Sequence, residues 1–595
     1  MLPSLAILIV TALYCAALGL VPGRADLARW VAVVGTGAAL VVLVARETLG
    51  TAGVAVAWPG WLAWLGETIY REDALGAGLG AWCLMLGLLG LLKLGRGDSA
   101  PWQLANAVAL LAVLFSLAHT DHLLAFAGQL FLLAALLLAG QTLHGSMIAE
   151  YSRSAVGLGL GALLLLGAAL LLGRATGGAY SLAGMSLSAL TVWPVLLLGG
   201  FVVLWLGMPP FTGWSARWSG DGASAVLAQS LGIGVPVVVM LLRLQGLVSS
   251  QAFAGSVPAA WAALMGVLAW FGAIGTLVAA CGLLVWAGSA RWTSMLTAYN
   301  LAMVVWALSL DNPAGRLAAL VIMLSYGAAR TALALTGDGA STWERLARAV
   351  GIASLACSPL TASFLGVWLL VSSLSVERYS SVALVLVGAG VVAAFGIVLH
   401  HVATDHPAPA AASPSLLSWL GPLAAITIMA GGTLPGLWLT YVSRVAEIGG
   451  GTPPVNLPWE GVGVGGNFVP VLMLGLGALL IAFIGWLVAA VSRSRTEAPG
   501  VLLPTGLDRV ERAREAAPAG AVNSWEGAAR LLIANPPPAV WWLSLAWLEG
   551  GVWGFGVLLG RLGTRFGGLL GRLEGRFYLP LTLILVLVAL LLASR

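Results

Sequence analysis

The chain reads GGFVVLWLGMPPFTGW at 199–214 and SLACSPLTASFLGVWLL at 354–370, and proline interrupts both apolar segments. Proline removes a helix hydrogen bond, and its ring clashes with the preceding turn. In hydrocarbon the freed carbonyl groups need other partners, so such breaks persist where they line protein or a wet cavity. We therefore predict two interrupted membrane helices, one broken at Pro209 and Pro210 and the other at Pro359.

The two interrupted segments are the seventh and the twelfth apolar spans of the chain, five spans apart. Paired interrupted helices in corresponding halves are typical of transporters that are built from inverted repeats. Because five is an odd number of crossings, the two repeats would lie in opposite orientations. We place two inverted five-helix repeats at about 102–246 and 258–402.

The composition indicates a membrane protein along the whole length of the chain. Of its 595 residues, 60% are hydrophobic and 9% are charged, whereas about 25% are charged in a soluble globular chain. Apolar segments of roughly 20 residues, the length that crosses a bilayer, recur from end to end. We predict an all-α integral membrane protein with about fourteen transmembrane helices and a C-terminal extension, giving about sixteen spans in total.

The predicted organisation follows from the spans and from the one long polar region. It comprises N-terminal transmembrane helices at 1–118, a repeat core at 119–403, C-terminal transmembrane helices at 404–492, a cytoplasmic linker with a membrane-surface helical segment at 493–576, and a final transmembrane helix at 577–595. The distribution of Lys and Arg among the loops predicts that both termini face the periplasmic or outer side of a bacterial-type inner membrane.

Charge and cysteine usage exclude several classes of function. The net charge of +5 is small for this length, so no nucleic-acid partner is expected. The four cysteines lie far apart, without the CxxC spacing of iron–sulfur or zinc sites. The sequence also lacks a nucleophile–base pair and a phosphate-binding loop. We predict no catalytic residue, no cofactor and no metal site.

Six segments, in order along residues 70–440, resemble the antiporter-like subunits shared by complex I, membrane-bound hydrogenases and multisubunit sodium/proton antiporters. They lie at 69–82, 149–178, 199–214, 294–306, 324–338 and 354–370. The resemblance implies a membrane-arm subunit, without a redox centre of its own, whose partners are other membrane-arm subunits and lipids. Whether it belongs to an oxidoreductase complex as a non-catalytic subunit stays open at this stage.

The chain departs from the family at the charged positions. The family works through buried ionisable residues, because a proton can rest within the membrane only on a titratable group. The resemblance implies a Glu in the fifth helix where this chain has Gln129, and Lys or Glu in the seventh and twelfth helices where it has Trp205 and Val367. In the eleventh helix, Arg330 replaces a Lys and Tyr326 replaces a His.

These replacements predict a subunit that keeps the scaffold and has impaired proton translocation. Arg stays charged in proteins and cannot cycle as a proton carrier, and the Gln side chain does not ionise. Two alternatives remain open. The chain could translocate protons or cations by a non-standard pathway through Arg330, Tyr326 and water, or it could be a stand-alone secondary transporter with the broken helices as its binding site.

The other polar residues in or near the spans are expected to be solvated. Arg243, near the end of the eighth span, would extend its side chain to the membrane interface. Asp121 lies between His119 and His122, where the fourth span turns into the fifth. Two His and an Asp could ligate a metal or shuttle protons, but we expect these three to belong to an interfacial loop with solvated side chains.

Overall fold

The computed structural model describes most of the chain up to residue 469, and all described residues belong to one compact unit, Met1–Ser544. They are 2–21, 23–48, 55–56, 70–71, 73–94, 101–143, 148–178, 180–182, 185, 190–208, 226–252, 258–285, 292–336, 342–358, 361–376, 386, 389–390, 393–394, 397, 419–433, 435–446, 455–456, 462–464 and 467–469. The predicted surface helical segment and final span lie outside the described residues.

Helices dominate the described part of the chain. They are α1 (Leu2–Leu18), α2 (Ala25–Thr48), α3 (Ala74–Leu94), α4 (Pro101–His119), α5 (Leu123–Leu143), α6 (Ile148–Ala175), α7 (Val192–Trp205), a π-helical turn (Ala228–Gly232), α8 (Gly234–Ala252), α9 (Ala259–Val285), α10 (Trp292–Ser309), α11 (Pro313–Thr336), α12 (Thr342–Leu355), α13 (Ala362–Val376), α14 (Leu420–Thr433) and α15 (Pro435–Ala446). Within the described residues, eight helical segments are long and apolar enough to cross a membrane, and further apolar helices are shorter. The chain is therefore a multi-pass membrane protein.

Helix α11 forms the centre of the bundle. It packs against α3, the π-helical turn, α8, α10, α12, α13, α14 and α15, and every residue from Gly315 to Ala329 is buried. Small residues make this close packing possible, since Gly366 of α13 faces the Ala318 carbonyl, and a Cβ there would lie 3.2 Å from that oxygen. Close approach at small residues is the usual way in which membrane helices associate.

Helix α7 ends before the first predicted break. Its last residue is Trp205, and Gly207 adopts the left-handed conformation with φ of 59°. The Met208 amide donates to the Val203 carbonyl at 3.2 Å, and the Gly207 amide donates to the Leu204 carbonyl at 3.2 Å. This is the hydrogen-bond pattern of a Schellman motif, in which a left-handed residue ends a helix and satisfies its last carbonyls.

The predicted twelfth span consists of two helices. Helix α12 ends at Leu355 and α13 begins at Ala362. Cys357 between them has φ of 53°, and the Ser358 amide donates to the Ala353 carbonyl at 2.8 Å. The backbone therefore ends α12 as it ends α7. Here a cysteine occupies the left-handed position, which costs a residue with a Cβ about 1–2 kcal/mol. The residues Pro209, Pro210 and Pro359 lie outside the described part of the chain.

The predicted helical class holds for most of the described part of the chain, which also has two small antiparallel sheets. In one, β1 (Ala55–Val56) pairs with β2 (Tyr70–Arg71), and in the other β3 (Val455–Asn456), β4 (Val462–Val464) and β5 (Asn467–Val469) pair in sequence order. These strands have only two or three residues each, so helices remain the main elements of the fold.

We predict that Gly207→Ala lowers the thermal stability of the full-length protein in detergent by the equivalent of about 1–2 kcal/mol, because a Cβ disfavours the left-handed conformation. The matched control is Gly37→Ala in α2, where a Cβ meets no atom within 4 Å. That change should raise stability by up to about 1 kcal/mol through helix propensity. Equal effects of the two substitutions would contradict the assigned backbone at Gly207.

Candidate functional site

Arg330 and Tyr326 meet the π-helical turn that precedes α8. The Tyr326 hydroxyl, on a fully buried side chain of α11, donates to the Gln229 carbonyl at 2.8 Å and lies 3.3 Å from the Thr297 hydroxyl. One helical turn later, the half-buried Arg330 guanidinium donates to the Gln229 side-chain oxygen. In a π-helical turn the backbone hydrogen bonds join residues five positions apart instead of four. Within this turn, both the backbone carbonyl oxygen and the side-chain oxygen of Gln229 accept hydrogen bonds from α11. No local sequence pattern indicates Gln229 as the partner of Arg330.

Three serine hydroxyls lie together where α12 ends. Ser354 is 2.9 Å from Ser325 and 3.0 Å from Ser363, and the Ser363 hydroxyl lies 2.7 Å from that of Ser325. All three side chains are fully buried. The Asn300 amide donates to the Leu355 carbonyl at 3.0 Å, which satisfies one of the unpaired carbonyls at the end of α12. The interrupted helix is thus held by neutral hydrogen-bond donors.

Gln129 belongs to a second, neutral cluster, which includes Thr120 directly after α4. The Thr120 hydroxyl lies 2.9 Å from the Gln129 Oε1 atom, and the Gln129 Nε2 atom donates to the Tyr70 hydroxyl at 3.3 Å. The Tyr70 hydroxyl is in turn 3.0 Å from that of Ser116. Each polar atom of the Gln129 side chain therefore has a partner without any ionised group.

Trp205 and Val367 have apolar surroundings. Trp205 is fully buried, its ring centroid lies 6.1 Å from that of Phe201, and a Cβ at Gly161 would lie 3.3 Å from its Cε3 atom. Among the described residues, the Trp205 Nε1 atom has no hydrogen-bond partner. Val367 is half-buried on α13. Within the described part of the chain, no hydrogen bond or ion pair joins these two residues, Gln129 and Arg330 to one another.

The sequence suggested that Arg243 extends its side chain to the membrane interface. In the structure it pairs inside the protein instead. Its guanidinium donates to both carboxylate oxygens of Asp73, at 2.8 and 3.4 Å, and to the Ala118 carbonyl at 2.8 Å. The side chain of Arg243 is only 3% exposed. Asp73 lies at the start of α3, where its carboxylate also accepts from the Gly76 amide at 2.8 Å. A buried Arg needs this kind of bidentate partner to offset its desolvation.

Asp121, His119 and His122 are also buried, contrary to the expectation of a solvated loop. Their exposures are 4%, 0% and 1%. The loop is held down by backbone bonds, because Leu182 donates to the Asp121 carbonyl at 2.9 Å. The Asp121 carboxylate lies 3.9 Å from Arg243. Burial raises the pKa of Asp121, while the nearby positive charge of Arg243 acts in the opposite direction.

The fold of this chain is similar to that of chains in several solved membrane complexes. The chain is similar to a chain of the membrane-bound sulfane sulfur reductase, an archaeal respiratory membrane complex, with a TM-score of 0.73 at 15% identity and complete coverage of both chains. A chain of the Mrp complex from Dietzia sp. has a TM-score of 0.66 at 16% identity, over 93% of this chain and 62% of that one. A chain of respiratory complex I from Thermus thermophilus has a TM-score of 0.63 at 15% identity, over 75% and 100%.

Its fold is that of a membrane subunit of these complexes. The structural likeness supports the resemblance to the antiporter-like subunits that was drawn from the six segments. No protein-family model matches the sequence, and no curated protein matches it either. Among the described residues, no group of three or more His, Cys, Asp or Glu side chains could hold a metal ion.

Two polar contacts in this fold were not predicted from the sequence. They are the contact of Gln229 with Arg330 and the ion pair of Arg243 with Asp73. Gln229 is a single amide in an apolar stretch, and its role depends on the π-helical turn. The ion pair of Arg243 and Asp73 had a usable signal, because an arginine within an apolar span is rare and usually has a buried partner. Its partner is 170 positions away in sequence, so the pairing could not be deduced from local pattern.

We predict that Arg243→Met destabilises the protein by about 3–5 kcal/mol, because it leaves the Asp73 carboxylate buried without its cation. Thermal unfolding of the full-length protein in detergent measures the effect. The matched control is Arg345→Met on an exposed position of α12, which should change stability by no more than about 0.5 kcal/mol. Adding Asp73→Asn to Arg243→Met should recover part of the loss. No recovery would show that the ion pair is not the cause.

Proposed function

We propose that the chain is a membrane-arm, antiporter-like subunit of a complex I-like or hydrogenase-like respiratory complex, with a structural role and impaired proton translocation. The fold shared with subunits of such complexes supports the first part. The observation that carries the second part is that both polar atoms of the Gln129 side chain bond neutral partners and that Trp205 is fully buried. Neither position offers a group that can hold a proton.

The spacing of the charged groups along α8 supports this proposal. Gln229, the partner of Arg330, precedes α8, and Arg243 lies within it. Gln229 and Arg243 are fourteen positions apart in sequence, a rise of about 20 Å. Of the residues between them, Ser230 donates to the Val226 carbonyl, and 231–242 carry only apolar side chains or glycine and are all buried. Apolar cavities stay dry, so the side chains of 231–242 offer neither a titratable group nor a partner for ordered water.

The subunit would keep the two inverted repeats of its fold without their relay. The matched left-handed helix ends at Gly207 and Cys357 support the assignment of α7 and α12 as corresponding elements. Large apolar side chains such as Val34, Trp193 and Trp270 are 64%, 71% and 68% exposed. We assign such surfaces to lipids and to neighbouring membrane-arm subunits. From the distribution of Lys and Arg among the loops, we place both termini on the periplasmic or outer side of an inner membrane.

The alternative is an active translocator that uses Arg330, Tyr326 and water. One observation favours it. Arg330 is half-buried and lies beside a π-helical turn, and π-helical turns are frequent at functional sites. Its weakness is chemical, because an arginine side chain does not act as a proton carrier in proteins. A stand-alone secondary transporter is the third possibility, with the interrupted helices as its site.

We predict that Arg330→Leu, made in the intact complex, reduces the amount of assembled complex and leaves its proton-to-electron ratio unchanged. Leucine removes a charge-assisted hydrogen bond of about 1.5–3 kcal/mol and leaves the Gln229 side chain without its donor. The control Arg330→Lys keeps a positive charge and should restore much of the assembly. A lower proton-to-electron ratio with normal assembly would instead support the active translocator.

We also predict that affinity purification of the tagged full-length chain from native membranes, in mild detergent, recovers other membrane subunits together with hydrophilic redox subunits. Mass spectrometry of the purified sample identifies them. A tagged, unrelated multi-pass protein from the same membranes provides the control for non-specific recovery. Recovery of this chain alone would favour the stand-alone transporter.

A further inference from the structure

We propose that Asp121 is a protonation site, whose carboxyl group exchanges a proton with the aqueous phase at the end of the bundle where α4 ends and α5 begins. This inference goes beyond the proposed function. A site at one end of the bundle binds a proton without carrying it across, so it can exist in a subunit that does not translocate protons. Four features of the structure lead to it.

The first feature is that two carboxylates compete for one cation. Arg243 donates to both oxygens of Asp73, whereas its closest atom is 3.9 Å from Asp121. The guanidinium also donates to the Ala118 carbonyl. Asp73 has a further donor in the Gly76 amide. Asp121 therefore lies beyond hydrogen-bond distance of the guanidinium, and the bidentate pair can stay intact when Asp121 changes its charge.

The second feature is burial. The side chains of Arg243 and Asp121 are 3% and 5% exposed. With both carboxylates ionised, the three side chains of Asp73, Arg243 and Asp121 have a net charge of −1, which is costly at a buried site. Arg71 adds a positive charge nearby, but it is exposed and therefore screened by solvent. Uptake of one proton makes the group of three neutral. Of the two acids, Asp121 gains more from protonation, because Asp73 already has a cation and an amide donor.

The third feature is an unpaired polar atom beside the cluster. The His119 Nε2 atom is buried and has no hydrogen-bond partner among the described residues, while its Nδ1 atom lies 2.8 Å from the Phe115 carbonyl. The neutral imidazole with a proton on Nδ1 leaves Nε2 as an acceptor. A Cβ at Gly76 would lie 2.8 Å from His119 Cδ2 and 3.1 Å from Asp73 Oδ1, so the imidazole edge borders the ion pair.

The fourth feature is position. Asp121 lies in the short connection between α4 and α5, next to Thr120, which pairs with Tyr70 in a β-bridge. His122 forms the corresponding bridge to Ser181. These bridges join the connections at one end of the helices, so a proton reaches Asp121 from that end without crossing the bundle.

The charged and titratable groups around Asp121 come from every neighbouring element, and they set the direction of its titration. They are Arg243 of α8, Asp73 at the start of α3, His119 of α4, Arg71 of β2, and His122 and Tyr180 beside the loop. Burial raises the pKa of Asp121 and Asp73 adds to the rise, while Arg243 and Arg71 oppose it. Because the raised pKa belongs to the folded state, ionisation of Asp121 reduces stability as pH increases above the ordinary range of an aspartate.

Infrared difference spectroscopy of the full-length protein, labelled with carbon-13 aspartate, tests the proposal by titration. We expect a protonated aspartate band that disappears with a midpoint above the ordinary aspartate pKa and is absent in Asp121→Asn. In Asp73→Asn, Arg243 turns to Asp121 and the like charge is gone. The midpoint should then shift to lower pH by about one unit.

Asp311→Asn is the matched control, because Asp311 is also an aspartate in a loop between two helices and pairs with Arg316 at 3.1 Å. It should leave the band and its midpoint unchanged. A band that persists in Asp121→Asn, or a midpoint that rises in Asp73→Asn, would overturn the proposal. So would the lack of any aspartate band that titrates above the ordinary range. The Asp73→Asn result decides the matter even if Asp121→Asn does not fold.

Discussion

The guanidinium of Arg243 is bound on one side by Asp73 at the start of α3 and on the other by the Ala118 carbonyl of α4. One buried charge therefore fixes three helices at the same end of the bundle. A cation in an apolar bundle must be paired and hydrogen-bonded, so α8 can pack here only in the register that brings Arg243 to Asp73. The loop that carries Asp121 closes over this pair.

The same constraint acts at the other polar centres. The end of α12 is held by Asn300 and by three serine hydroxyls, which are neutral, and the π-helical turn is held by Tyr326 and by the charged Arg330. Each centre provides partners for backbone or side-chain groups that hydrocarbon would leave unpaired. Polar groups are therefore bonded in pairs or small clusters within the described part of the bundle, and most of these clusters contain no ionised group.

Sequence pattern predicted the features that depend on local or periodic signals. Long apolar segments gave the membrane class, and the six segments gave a resemblance that the fold supports. The interruption between α12 and α13 was expected from the proline at 359, although the left-handed residue at Cys357 was not. The ion pair of Arg243 and Asp73 and the contact of Gln229 with Arg330 join residues far apart in sequence. Those pairings depend on helix register in three dimensions, which no local pattern contains.

We propose that the polar centre of Gln229 and Arg330 is not connected through the bundle to the centre of Arg243, Asp73 and Asp121. A density map of the chain in its parent complex, at a resolution that shows ordered water, would decide this. We expect water near Arg330 and Gln229 and near Asp121, with dry, packed side chains around Trp205 and along 231–242. A continuous file of ordered water that joins the two centres would contradict it.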